Sequence, residues 1–161
     1  MDDQSLHTLR TILRTQRAAA LGTLRSGNAD PGPLVSLILF VAAPDFSAFF
    51  IHASRLAQHT QDIMADPRVS LMVAETDDGL RDPQQLARIS LRGLALPVPE
   101  NDPGYAAARA LYLARFPQAS ITFNLGDFAL YRIEPHSARY VAGFGKTFNL
   151  NLDSLTRAAL A

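Results

Sequence analysis

The apolar residues of this chain come in short runs, each closed by turn formers within the length of one strand. That rhythm restricts the fold more than any other feature. Ser26-Gly27-Asn28-Ala29-Asp30-Pro31-Gly32-Pro33, Pro44-Asp45, Asp66-Pro67 and Glu134-Pro135-His136-Ser137 are the interruptions. Between them, residues 18–25, 34–43, 48–52, 69–74, 89–98, 128–133 and 138–142 read as strands. The run at 34–43 is apolar on both faces, as in the interior of a barrel. The last two strands are separated only by Glu134 to Ser137, which reads as a tight hairpin turn.

Three helices are expected, one ahead of the first strand and two between strands. Leu6, Leu9, Ile12 and Leu13 recur at helical spacing, with Ser5 as a candidate cap and an end near Gln16 or Arg17. Residues 57–65 read as a short helix stopped by Asp66-Pro67, and residues 103–116 as a third with Pro103 near its first position. A glycine-bearing loop opens the C-terminal stretch, which ends in a possible helix from Asp153. Hairpin-length spacing, rather than strict strand-helix alternation, predicts an antiparallel barrel with helices packed outside. One domain over residues 1–161 is expected: a helix at 1–17, a barrel at 18–146 and a tail at 147–161.

Composition removes several function classes. Fifteen basic residues balance 15 acidic ones, so nothing resembles the basic footprint of a nucleic-acid binder. There is no cysteine, hence no disulfide and no thiolate metal site. No apolar run has the length of a membrane helix, and Met1-Asp2-Asp3-Gln4 lacks the start of a secretion signal, so a cytoplasmic location is expected. No histidine spacing matches a zinc site, and no serine sits in a hydrolase elbow.

Three places could carry chemistry. Ser54, Arg55, His59 and Thr60 gather where a strand runs into a helix; they can hold a phosphate at the helix N-terminus, or simply cap it. Arg88, Ser90 and Arg92 alternate on one strand face, lining a ligand cleft or facing solvent. Gly143-Phe144-Gly145-Lys146 allows close backbone approach beside the sole lysine, or forms a plain turn. His7 lies in an exposed helix and His136 in the expected hairpin turn.

Several segments together resemble a known family. They are Leu56-Ala57-Gln58-His59-Thr60, Ala65-Asp66-Pro67-Arg68-Val69-Ser70-Leu71, Tyr112-Leu113-Ala114-Arg115-Phe116-Pro117, the run from Gly126 to Pro135, and the run from Arg139 to Lys146. In order and spacing they resemble the pyridoxamine-5'-phosphate-oxidase-like FMN-binding split barrels, and within these the haem-iron-utilisation branch. The resemblance implies a mainly β fold, a six- to seven-stranded antiparallel split barrel with peripheral helices, acting as a homodimer with cofactor clefts between subunits. It implies FMN contacts from Leu34, Val35 and Ser36, from His52 and Ser54, from His59 and Thr60 at the phosphate, and from Arg88 and Ser90. Gly145 and Lys146 would come from the partner subunit. Gln58-His59 replaces the arginine-lysine pair of the oxidases, which weakens charge pairing with a phosphate. Lys146-Thr147-Phe148-Asn149-Leu150 stands where the oxidases read pyridoxamine phosphate through arginine and histidine, which argues against vitamin B6 oxidation. The expectation is an FMN-dependent oxidoreductase of unknown substrate. The alternatives are a haem-binding or haem-utilisation protein, with His52, His59 and His136 as candidate iron ligands, and a non-catalytic flavin-binding dimer.

Overall fold

A computed structural model describes residues 1–25 and 31–160; of the expected loop at 26–33, Ser26 to Asp30 lie outside the described residues. The elements are α1 (Asp3–Thr15), β1 (Ala18–Arg25), β2 (Gly32–Leu39), β3 (Val41–Ala42), β4 (Phe49–Ser54), α2 (Gln58–Ala65), β5 (Arg68–Ala74), β6 (Arg88–Pro97), α3 (Tyr105–Arg115), β7 (Phe128–Val141), β8 (Thr147–Leu150) and α4 (Leu152–Leu160). All strands join one antiparallel sheet in the order β2-β1-β5-β6-β7-β4-β3, with β8 also paired to β7. The expected mainly β, antiparallel split barrel with peripheral helices is the observed architecture.

Period-two alternation builds the interior. Leu21, Leu71, Leu91 and Ala138 stand side by side across β1, β5, β6 and β7, all buried. A fully buried leucine contributes roughly 1.5–3 kcal/mol, so this row is a major part of the core. The stripe predicted for α1 is correct: Leu9, Ile12 and Leu13 enter the same core, where Leu155, Ala158 and Ala159 of α4 join them. Tyr140 closes this region by donating from its hydroxyl to the Ser5 carbonyl at 2.9 Å. The cap of α1 is Asp2, whose carboxylate accepts from the Ser5 amide at 2.8 Å; the expected cap, Ser5, lies inside the helix and is buried. α2 is fastened to the barrel by Asp62, which accepts from Thr23 of β1 and from Gln58, each at 2.8 Å.

Two strand assignments differ from the sequence expectation. The run at 34–43 is not one strand: it breaks at fully buried Phe40, whose amide donates to the Arg17 carbonyl. β2 therefore pairs with β1, whereas β3 pairs with β4 at the far end of the sheet. Nor is β2 buried on both faces, because Val35 and Leu37 are 69% and 79% exposed. The supposed hairpin at Glu134 to Ser137 is a β-bulge inside a continuous β7. Arg92 pairs with Ser137 and Gly93 with Pro135, so His136 is the extra residue. Proline in a turn-like tetrad signals a hairpin by composition, but it also fits a bulge, where the ladder is interrupted. Thr147–Leu150 adds a strand to β7 within the stretch expected as a tail.

Gly93 is what lets β6 and β7 meet at this bulge. A β-carbon there would lie 2.2 Å from the Glu134 carbonyl oxygen and 2.8 Å from its carbon. Both are backbone atoms that no rotamer can move. Gly93→Ala is expected to cost about 3 kcal/mol, the upper end for overpacking, read as a lowered urea midpoint. An unchanged midpoint would show that the bulge tolerates the methyl group.

Candidate functional site

The break at Phe40 leaves β2 and β4 facing each other without a ladder between them. The gap is a cleft of about 220 Å³ lined by Leu37, Ile38 and Leu39 of β2, Ile51 to Ser54 of β4, Ala57 and His59 at the start of α2, Tyr112 of α3 and Phe128 of β7. Its walls are mainly aliphatic and aromatic, and its polar groups converge from β4 and α2.

His52 is the most constrained of these. Its ring stacks on Phe123 at 3.8 Å with 10° between planes, meets Tyr112 edge-on at 5.8 Å, and lies 5.3 Å from Phe128. Burial, aided by the Arg109 charge, lowers its pKa to about 4, so the ring is neutral at ordinary pH. Its Nδ1 is 3.3 Å from the Thr122 hydroxyl oxygen. The hydroxyl oxygen is also 2.9 Å from the Ala119 carbonyl; when it donates there it accepts from Nδ1–H, the tautomer in which Nε2 keeps its lone pair. Burial also lowers His59, with Asp62 opposing the shift.

The other predicted residues divide clearly. His52, Ser54 and His59 meet in the cleft. Ser54 is already engaged: its hydroxyl donates to Asp127 at 2.7 Å and accepts from the Leu56 amide at 3.1 Å. Thr60 is fully buried rather than presented to the cleft, and its hydroxyl has no partner among the described residues. Leu34, Val35 and Ser36 lie on β2 beyond the lining; the next three residues do the lining instead. Arg88 and Ser90 are on β6, with β7 between them and β4, and Arg88 donates to the Gln84 and Leu86 carbonyls. Gly145 has φ of 76° in its loop, and Lys146 pairs with Asp2 at 3.2 Å. His136 is in the bulge, exposed, and away from the cleft. Leu37, Leu39, Tyr112, Thr122 and Phe123 were missed. Tyr112 lay inside a quoted family segment, but nothing in the spacing tied the helix and turn residues to β4. Among the described residues, no three histidine or carboxylate side chains gather as a metal-ion cluster.

An open-edged barrel with a cleft at the break is the architecture of the pyridoxamine-phosphate-oxidase-like split barrels. The solved structure of a putative pyridoxamine 5'-phosphate oxidase from Listeria innocua matches with a TM-score of 0.60 at 14% identity, over 86% of this chain and 98% of that one, a likeness of fold. Within that class the chain belongs to the family described as CREG, beta-barrel, whose model matches residues 3–155. It is 37% identical over 142 residues to the non-canonical heme oxygenase HOZ, chloroplastic, of Arabidopsis thaliana, which covers 87% of this chain and 41% of that protein. It is 26% identical over 133 residues to the heme oxygenase HutZ of Vibrio cholerae, covering 82% of this chain and 74% of that protein. The chain thus spans under half the length of the first of these relatives.

The lowered His52 pKa has a signed consequence for the ligand-free protein. An unfolded imidazole takes up its proton near pH 6.5, the folded one only near 4. Between those values the unfolded state binds more protons, so stability falls as pH drops through this window and is unaffected by this group above it. His52→Phe keeps an aromatic ring in the stack and should flatten part of the fall in melting temperature between pH 7 and pH 4.5. His59 supplies a further part. A slope identical to wild type would remove His52 as its source.

Proposed function

We propose that this protein binds haem in the cleft between β2 and β4, with His52 Nε2 as the iron ligand, and that haem degradation is its reaction class. The observation that carries this reading is the balance of groups in the cleft. It holds a neutral, rigidly oriented imidazole among apolar walls, while the donors that a flavin phosphate needs are engaged elsewhere. Ser54 is bonded to Asp127 and Gln58 to Asp62, Thr60 is buried, and Arg55 is not part of the cleft lining. A neutral imidazole with its other nitrogen hydrogen-bonded is the usual form of a metal-bound histidine. Both relatives are named as haem oxygenases. Bound haem would supply oxygen chemistry at its iron. The chain's own part is to orient the ring through His52, Thr122 and Phe123, and to exclude water with Leu37, Leu39 and Phe128.

A second copy of this chain completes the site in this reading. The cleft of one chain, about 220 Å³, is smaller than the roughly 300–1,000 Å³ usual for ligand cavities. Beside it, Val35, Leu37 and Leu39 of β2 and Met72 of β5 leave apolar surface exposed on the sheet. FMN chemistry in the same cleft is the competing reading. The expected cytoplasmic location also stays a proposal: among the described residues no helix is long and apolar enough to cross a membrane, and one relative is named chloroplastic.

Titration with haem should give a saturable Soret band. His52→Ala should weaken binding about tenfold or more, and Thr122→Val, which leaves Nδ1 without its acceptor, by a similar order. His136→Ala should change nothing. Added FMN should not be retained on gel filtration. A Soret band unaltered by His52→Ala overturns the ligand assignment, and stoichiometric flavin with no haem binding restores the flavin reading. Sedimentation should show a dimer; a sole 17.5 kDa species at micromolar concentration would remove the second copy.

A further inference from the structure

A larger cavity, about 720 Å³, lies on the other side of His52, between the end of β6, the start of β7, α2 and the segment at 121–126. It shares only His52 and Phe128 with the cleft, which makes these two rings the wall between the cavities. Its volume is typical of a site for a small organic ligand. Val98, Leu125, Leu130 and the rings of Phe123 and Phe128 give it apolar sides.

Two polar groups lining this cavity have donors that the described residues leave available. Tyr131 is 4% exposed and lines the cavity, yet its hydroxyl makes no hydrogen bond to any described residue. The hydroxyl oxygen is not itself among the buried unpartnered atoms, so it is reached from the cavity and is available to a ligand. Arg55 also lines the cavity, and its charge acts on the Tyr131 phenol. Arg55 donates to the Gly126 carbonyl but pairs with no carboxylate among the described residues. A guanidinium has further N–H groups to offer, aligned for a two-oxygen anion.

We propose that this cavity is a second ligand site, for an aromatic carboxylic acid. The ring lies against the apolar sides, the carboxylate meets Arg55, and Tyr131 donates a hydrogen bond. The assignment is independent of what the cleft binds.

Calorimetry with 2-naphthoate and its neutral analogue 2-naphthamide tests it. Naphthoate should bind about tenfold more tightly than the amide, and Arg55→Gln should abolish that preference. Tyr131→Phe should weaken naphthoate binding severalfold, while the ligand-free variant melts at or above the wild-type temperature, because the hydroxyl removed has no partner. Saturating haem should leave naphthoate affinity unchanged. The proposal is overturned if neither compound binds, if both bind equally, if the two variants bind like wild type, or if haem displaces naphthoate.

Discussion

Phe40 sits at the point where the barrel fails to close. A twisted antiparallel sheet of this size tends to bring its two edges together. Here the chain itself crosses from one edge to the other, from β2 to β3, within a single residue. Phe40 makes the crossing possible by turning inward to full burial, 6.2 Å from the Phe49 ring, while its amide bonds to the Arg17 carbonyl. Because β2 belongs to one edge and β4 to the other, the ladder is missing between them, and the cleft containing His52 and His59 is what remains. The exposed Val35 and Leu37 of β2 stand on the outer face of the sheet, in register with exposed Met72 of β5 at Leu37.

Much of this was legible in the sequence because it depends on local periodicity. The stripe of α1, the alternation of β6 and the stop at Asp66-Pro67 each act within a few residues, and each appears where expected. The break at Phe40 was not legible, because Phe40 continues the apolar run and only its burial in the tertiary core separates β2 from β3. The bulge was not legible either. Pro135 beside His136 carries the composition of a turn, and the residue that lets the strands approach at the bulge is Gly93, on another strand far earlier in the chain. For the site, His52 and His59 stood out as residue types. What makes His52 useful comes from Thr122 and Phe123, in a segment where no periodic signal points back to β4.

Most of the arginines whose contacts are seen serve the fold. Arg14, Arg17 and Arg109 lie over the rings of Phe46, Phe116 and Phe123. Arg115 donates to the Thr15 and Gln16 carbonyls, and so tethers α3 to the end of α1. Arg88, expected to flank a cofactor, caps the carbonyls that lead into its own strand. The guanidinium group suits these tasks because it stacks and donates to several acceptors at once. Arg109 links this scaffold to the site: its guanidinium packs on one ring of the His52 stack, and its charge helps keep His52 neutral.

The haem proposal turns on that neutrality. A phosphate needs positive charge or free N–H and O–H donors; here burial lowers both imidazole pKa values, Ser54 and Gln58 are engaged within the protein, Thr60 is buried and Arg55 is not part of the lining. An iron ligand needs the opposite: an unprotonated nitrogen, a fixed ring and an apolar setting that does not compete for the lone pair. One hydroxyl proton separates the two cases at His52. With the Thr122 proton on the Ala119 carbonyl, the hydroxyl accepts from Nδ1 and Nε2 is left as a base. Were that proton turned toward the ring, Nδ1 would become the acceptor and Nε2 would carry the hydrogen, closing the lone pair to a metal. In the first arrangement a backbone carbonyl in a short turn after α3 sets the tautomer of a ring on β4.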